Sequence, residues 1–198
     1  MYYIDQFKNN VANGKGIEYY SNGNILYEGD FIDGKFEGNG KFISEDGRYY
    51  IGQWKNGLRN GKGIEYYSNR NTLYEGDFIN DEREGNGKFI SEDIAYCIGQ
   101  WKNGFLNGKV NIYNANGNII FKGDFINHKR EGIGKEIDED GRYYIGEYKY
   151  DLKNGKGIIY HANGNILYEG DFINDKEEGN GKIIYEDSLL IMINGRMD

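Results

Sequence analysis

Apolar and polar residues alternate along short segments of this chain, and the segments recur at regular intervals. The string YEGDFI begins at Tyr27, Tyr74 and Tyr168, and its variant FKGDFI begins at Phe121. In each string an aromatic residue, a glycine and a second aromatic residue lie two positions apart. In an extended strand all three share one face, whereas a helical period would scatter them. The pattern therefore predicts β-strands.

The strings belong to a 47-residue repeat made of two related halves of 23 and 24 residues. The third position of a half is glycine in seven of eight copies, and the fifth is always aromatic. The first position is aromatic except at Cys97, and the fourteenth is glycine except at Val110. The halves span residues 3–26, 27–49, 50–73, 74–96, 97–120, 121–143, 144–167 and 168–190.

Each half reads as one β-hairpin, because turn-forming pairs such as Asn56-Gly57 separate its two apolar runs. In the second copy we expect a first strand over Tyr27–Ile32 and a second over Gly40–Ser44. The sequence predicts an all-β fold, an elongated twisted antiparallel meander of about eight consecutive hairpins. We expect one domain over residues 3–190, with residues 191–198 as a degenerate C-terminal capping segment.

The repeat resembles a known family. Tyr27-Glu28-Gly29-Asp30-Phe31, then Gly34 and Gly38-Asn39-Gly40, is similar to the MORN repeat, whose typical pattern is YxGxWxxGxxxGxGxxxxxxG. The resemblance covers about residues 3–190. It implies a twisted sheet of hairpins and a non-enzymatic role in scaffolding, tethering or dimerisation, in some members at membranes or the cytoskeleton. It also implies phosphoinositide binding in some members.

The amino-acid composition argues against several classes of protein. Glycine accounts for 31 of the 198 residues, which argues against a helical protein, because interior glycine destabilises a helix. The formal charge of -8 argues against a general nucleic-acid binder, since such proteins neutralise phosphates. The single cysteine excludes an intramolecular disulfide and suits a reducing compartment. With no signal peptide and no apolar run near the length of a membrane span, we expect a cytoplasmic protein.

The residues for catalysis or metal binding are few. The two histidines, His128 and His161, fall at different repeat positions, and nothing close in sequence supplies a base for Cys97. The acidic run Asp138-Glu139-Asp140 lacks the twelve-residue ligand spacing of a calcium loop. We therefore predict no enzymatic activity, no cofactor and no metal site.

Two surfaces are candidates for binding. The recurring rings either pack internally or line an open groove that takes a partner. The recurring lysines, from Lys15 to Lys182, either pair with carboxylates on neighbouring strands or form a stripe for anionic lipid headgroups. The candidate ladder of rings is Tyr27, Phe31, Tyr50, Trp54, Tyr74, Phe78, Trp101, Phe125, Tyr144 and Phe172.

The C-terminal end is a third candidate, because an open sheet has edge strands that invite pairing. Its apolar residues either cap the last hairpin or form a self-association edge: Leu189, Leu190, Ile191, Met192 and Ile193. The leading functional hypothesis is a scaffold that binds a protein partner or itself. The alternative is a peripheral membrane module that recognises acidic phospholipids such as phosphoinositides. Either would suit a cytoplasmic protein associated with the cytoskeleton or a membrane surface.

Overall fold

The computed structural model describes residues 2–4, 7–8, 10–91, 95–184 and 190–194, with the backbone alone for residues 2–4, 8 and 190–194. Every regular element within these ranges is a β-strand. The contacts between residues group the chain into two compact units, residues 1–93 with 101–104 and residues 94–100 with 105–198. Each unit is described by itself, and the single domain over residues 3–190 stays a prediction.

The first unit is an antiparallel meander in chain order from β4 to β10, with β1 paired to the outer side of β4 and a short β2–β3 hairpin beside it. Strand β11, Tyr96–Lys102, has residues in both units. The strands of the first unit are β1 Tyr2–Ile4, β2 Phe7–Lys8, β3 Val11–Ala12, β4 Gly14–Tyr19, β5 Ile25–Ile32, β6 Lys35–Ile43, β7 Tyr49–Lys55, β8 Leu58–Tyr66, β9 Thr72–Ile79 and β10 Glu82–Ile90.

The second unit repeats this arrangement, with antiparallel pairing of successive strands from β12 to β19. Its strands are β12 Phe105–Tyr113, β13 Ile119–Ile126, β14 Lys129–Ile137, β15 Tyr143–Lys149, β16 Leu152–Tyr160, β17 Ile166–Ile173, β18 Lys176–Ile184 and β19 Leu190–Asn194. The all-β hairpin fold predicted from the sequence is confirmed.

Two-residue turns join the strands of most hairpins. In the turn between β5 and β6, Asp33 and Gly34 have φ of 48° and 75°. Two consecutive positive φ values are the signature of a type I′ turn, whose twist matches that of the flanking strands. The pair Asn56-Gly57 behaves in the same way, with φ of 54° and 86°, so the turn residues identified from the sequence do join strands.

The second strand of a hairpin begins earlier than the sequence predicts. Strand β6 starts at Lys35, not at Gly40. The register between β5 and β6 shifts between Asp30↔Glu37 and Gly29↔Gly40, and Gly38 within that shift has a φ of 62°. A β-bulge therefore absorbs extra residues and lets the ladder continue to the turn; the alternation of the sequence breaks there, which hid the first half of the strand.

A row of directly paired glycines crosses each unit. The row places residues without side chains in the middle of most ladders, which frees the space above them for rings. In the first unit it runs through Gly16, Gly29, Gly40, Gly52, Gly63, Gly76 and Gly87. In the second it runs from Val110 through Gly123, Gly134, Gly146, Gly157, Gly170 and Gly181.

Within the C-terminal segment, the described residues Leu190–Asn194 form a strand, and the role of residues 191–198 as a cap stays a prediction. Strand β19 pairs with β18 and places Ile193 opposite Gly181, at the end of the glycine row. Of the predicted self-association edge, Leu189 lies outside the described residues. Leu190, Ile191, Met192 and Ile193 are described by their backbone, and their role in self-association stays a prediction.

Candidate functional site

The ten predicted ladder rings lie in the cores of the units. Each is between 0 and 6% exposed, and neighbouring rings meet edge to face, as where Tyr27 and Phe31 lie 5.2 Å apart. Phe121, Tyr148 and Tyr168 are equally buried and occupy the same repeat positions, so the repeat pattern identifies them as well. The rings as placed are packing residues, and any contact of theirs with a partner stays a prediction.

The first ring of a hairpin lies flat over the glycine row. A Cβ added to Gly52 or Gly63 would overlap the ring of Tyr50, so only glycine at both positions leaves room for it. The Tyr50 hydroxyl donates a hydrogen bond to the Gln53 carbonyl at 3.1 Å. Tyr27, Tyr144 and Tyr168 make the equivalent bond. Burial raises the pKa of Tyr50 to about 12 and raises the pKa of Tyr27 and Tyr144 as well.

The fifth hairpin lacks this arrangement of a ring over two glycines. Cys97 stands where other copies have a ring, and Val110 stands where they have glycine. Both side chains are buried, and Val110 Cγ2 lies 2.7 Å from the position of a Cβ on Gly99. The valine therefore occupies space that a ring fills elsewhere, and the buried Cys97 is an apolar packing residue here.

Half-buried charges lie on the ring face and were missed by the sequence analysis. Glu65 bridges Arg59 and Arg83, whose guanidinium groups also lie over rings, Arg83 at 4.6 Å from the Tyr74 centroid. At the repeat position of Arg59 and Arg83, three copies carry apolar side chains, Ala12, Phe36 and Leu106, and the other copies carry charged ones. A repeat position on the ring face that varies between apolar and charged residues is the signal that could have identified them.

The second unit has a corresponding cluster around Glu136. Its carboxylate accepts hydrogen bonds from Arg130 at 2.7 Å and from the Tyr148 hydroxyl at 3.1 Å, and pairs with Lys153 at 2.9 Å. Burial alone would raise the pKa of Glu136, but hydrogen bonding and attraction from Lys153 and Arg130 outweigh it and lower the pKa. With Asp81, which pairs with Arg59 at 3.2 Å, and Asp151, which pairs with Arg130 at 3.8 Å, each cluster has as many carboxylates as cations. This balance favours a structural role.

On the face of the sheet opposite the rings, which we call the outer face, four recurring lysines pair with carboxylates on adjacent strands, one of the two predicted arrangements. These ion pairs are exposed and contribute little to stability individually. The recurring pairs are Lys15–Asp30 at 3.2 Å, Lys62–Asp77 at 2.6 Å, Lys109–Asp124 at 2.7 Å and Lys156–Asp171 at 2.5 Å.

Apolar side chains at the hairpin ends are exposed in a regular series. We call this series the hairpin-end row, and its members are between 37 and 55% exposed. Four lie in the first unit and four in the second: Val11, Ile32, Leu58 and Ile79, then Phe105, Ile126, Leu152 and Ile173.

Exposed lysines stand opposite five members of the row. Lys35 pairs in register with Ile32, Lys55 with Leu58, and Lys129, Lys149 and Lys176 with Ile126, Leu152 and Ile173. Within the described ranges none of these five lysines forms an ion pair. Nearby turn carboxylates are occupied by backbone amides instead, as where Asp151 accepts from the Arg130 amide at 2.8 Å.

Comparison with protein-family models places every hairpin in one family. The model described as MORN repeat matches residues 6–25, 27–47, 50–72, 74–93, 97–109, 121–141, 144–166 and 168–189. The chain belongs to the MORN-repeat family. The match to the fifth MORN copy ends at residue 109, just before Val110 replaces the glycine of the other copies.

A comparison of this MORN-repeat chain with curated proteins found no match. Among solved structures, selenomethionine-substituted virginiamycin B lyase from Staphylococcus aureus matches at 12% identity, over 78% of this chain and 68% of the other, with a TM-score of 0.21. A TM-score this low carries no argument about this protein.

The remaining residues singled out in the sequence lie in turns. His128 replaces the turn aspartate of other MORN copies, and its Nδ1 accepts a hydrogen bond from the Leu106 amide at 3.2 Å. Among the described residues no group of three or more His, Cys, Asp or Glu could hold a metal ion. Those residues also include no helix long and apolar enough to cross a membrane.

Proposed function

We propose that this protein is a non-enzymatic binding module that recruits a protein partner through the hairpin-end row. The observation that carries the proposal is the exposure, within each unit, of four apolar side chains beside the hairpin turns, at two alternating repeat positions. Exposed apolar side chains grouped on one part of a surface are typical of interaction sites. The buried rings, by contrast, already pack against one another.

The charges beside the hairpin-end row indicate which surface chemistry a partner would have. Exposed lysines lie opposite five of the apolar residues, and a single glutamate, Glu82, lies opposite Ile79. A complementary surface would therefore carry apolar side chains flanked mainly by carboxylates. A second copy of this chain is a poorer complement, because lysines would face lysines. The leading hypothesis is therefore a partner of different sequence, encountered in the cytoplasm.

Capture from native cells tests the proposal. The wild-type chain is compared with a triple variant, Ile126→Ser, Leu152→Ser and Ile173→Ser, which removes three apolar members of the row. A matched triple variant, Ile51→Ser, Ile98→Ser and Ile119→Ser, removes exposed isoleucines outside the row. We expect partners retained by the control and lost by the row variant, with all three proteins folded by circular dichroism. Equal capture by both variants would refute the proposal.

A membrane surface is the second candidate function, because exposed aliphatic side chains with adjacent lysines also suit adsorption to anionic bilayers. The formal charge of -8 opposes it. Flotation with vesicles containing phosphatidylserine or phosphoinositides, at low and high salt, distinguishes the candidates. Salt-sensitive flotation that the row variant abolishes would support membrane binding. Sedimentation velocity would show whether the chain associates with a second copy of itself.

A further inference from the structure

On the outer face, one hairpin carries a lysine where three equivalent hairpins carry a glutamate. In three hairpins a glutamate lies directly opposite a lysine, and in the hairpin of β13 and β14 Lys122 lies opposite Lys135 instead. Like charges directly opposite each other destabilise a strand pair. The reversal is therefore unfavourable for folding, and an anion between the two ammonium groups would relieve the repulsion. The three regular pairs are Glu28↔Lys41, Glu75↔Lys88 and Glu169↔Lys182.

The reversed pair lines a groove. The groove has a volume of about 360 Å³, and Lys109, Lys122 and Lys135 supply its charged groups. Its lining includes no carboxylate; the other walls are apolar or amide side chains and glycine, among them Ile98 and Ile145. A volume of this size lies at the lower end of small-molecule sites.

Neighbouring carboxylates leave most of this charge uncompensated. Asp124 pairs with Lys109 at 2.7 Å. Glu147, on β15, accepts a hydrogen bond from the Lys156 amide at 2.9 Å and does not line the groove. Lys135 lies 4.0 Å above the ring of Tyr143, which orients its ammonium group without neutralising it.

Two other grooves of the same face serve as internal comparisons. The groove of about 580 Å³ in the first unit includes Glu28 beside Lys41, and the groove of about 680 Å³ in the second includes Glu169 beside Lys182. Glu169 and Lys182 form an ion pair at 2.6 Å. These grooves carry their own counter-ion at the register position where the first groove carries Lys122.

We propose that the groove lined by Lys109, Lys122 and Lys135 binds a small soluble phosphate ester. A phosphate monoester carries about -1.5 to -2 charge near neutral pH and three acceptor oxygens, which suits two uncompensated ammonium groups with a third beside them. The apolar walls, Ile98 and Ile145, would contact the organic part of the ester. The net charge of -8 disfavours a large anionic surface but not a small ligand held inside one groove.

This site lies on the outer face of the sheet, and the proposal goes beyond the partner binding assigned to the hairpin-end row. Phenyl phosphate and inorganic phosphate serve as probes, titrated into the full chain at low salt and followed by amide chemical shifts. We expect one saturable site near Lys122, with phenyl phosphate binding more tightly than inorganic phosphate because its ring meets the apolar walls.

Two variants sharpen the titration. Lys122→Glu restores the regular pair, so we expect at least tenfold weaker binding in a protein that melts at the wild-type temperature or above. Glu169→Lys reproduces the reversed pair beside Lys156 and Lys182, and we expect it to add a second site. Absence of binding, or binding unchanged by Lys122→Glu, would overturn the proposal. So would a Lys122-dependent association with phosphoinositide vesicles alone, which would assign the groove to a membrane headgroup.

Discussion

The third and fifth hairpins occupy equivalent places in the repeat but solve one packing problem in different ways. In the third, the Tyr50 ring covers Gly52 and Gly63. In the fifth, Cys97 is too small to cover anything, and Val110 rises from the opposite strand to fill the gap. The comparison shows that the covering ring and the glycine beneath it depend on each other. Where the ring is absent, glycine is no longer required.

The largest effect is expected from closing the space beneath a ring. In Gly63→Ala the new Cβ would overlap the Tyr50 ring, and overpacking against a buried ring is expected to destabilise by about 3 kcal/mol, the upper end of the usual range. Val110→Ala places the same residue at the same repeat position, where a Cβ is already accommodated, and its expected loss is smaller. Urea unfolding of both variants measures the difference, and similar losses would contradict the model of one packing unit.

A double-mutant cycle tests whether the fifth hairpin is a compensated exchange. Cys97→Tyr alone forces a ring against Val110, and overpacking of this kind destabilises by about 1–3 kcal/mol. Adding Val110→Gly restores the arrangement of the third hairpin, so we expect the double variant to recover most of that stability. The coupling is read from unfolding free energies of the four proteins. Additive losses would show that the two positions are independent.

The hydroxyl of the covering ring contributes less. Tyr50→Phe keeps the ring but removes the bond to the Gln53 carbonyl, and we expect a loss of about 1 kcal/mol at pH 7. Phe121 already covers Gly123 and Gly134 without a hydroxyl, which indicates that the ring alone suffices for the fold. Tyr49→Phe, at a half-buried position, is the control, and an equal loss there would argue against a specific role for the buried bond.

The same hydroxyl makes the stability depend on pH. The folded protein raises the pKa of Tyr50 to about 12 from an ordinary value of 10.0, so folding favours the protonated phenol. That contribution is fully present below pH 10 and is lost as the pH rises towards 12. Wild type and Tyr50→Phe should therefore converge in stability between pH 10 and 12. A constant difference, measured by urea unfolding across this range, would contradict the burial of the phenol.

Much of the fold could be predicted because the relevant signals are local. The spacing of Tyr27, Gly29 and Phe31 indicates a strand face, and Asp33-Gly34 indicates the turn that ends it. The early start of β6 could not be read in the same way, since the bulge at Gly38 interrupts the alternation. The candidate surfaces could not be predicted from local sequence signals. The exposure of Ile126 and the ion pairs of Glu65 depend on which side chains the neighbouring strands place beside them.

The sequence by itself determined the repeat, its hairpins and the family, because a strand period and a turn pair act over a few residues. Only the tertiary structure decided which side chains face one another. The Tyr50 ring lies on Gly63, and Lys122 lies opposite Lys135, because strand register joins residues that are distant in sequence. Burial and charge compensation depend on those pairings, which is why they place the rings in the core and leave the hairpin-end row exposed.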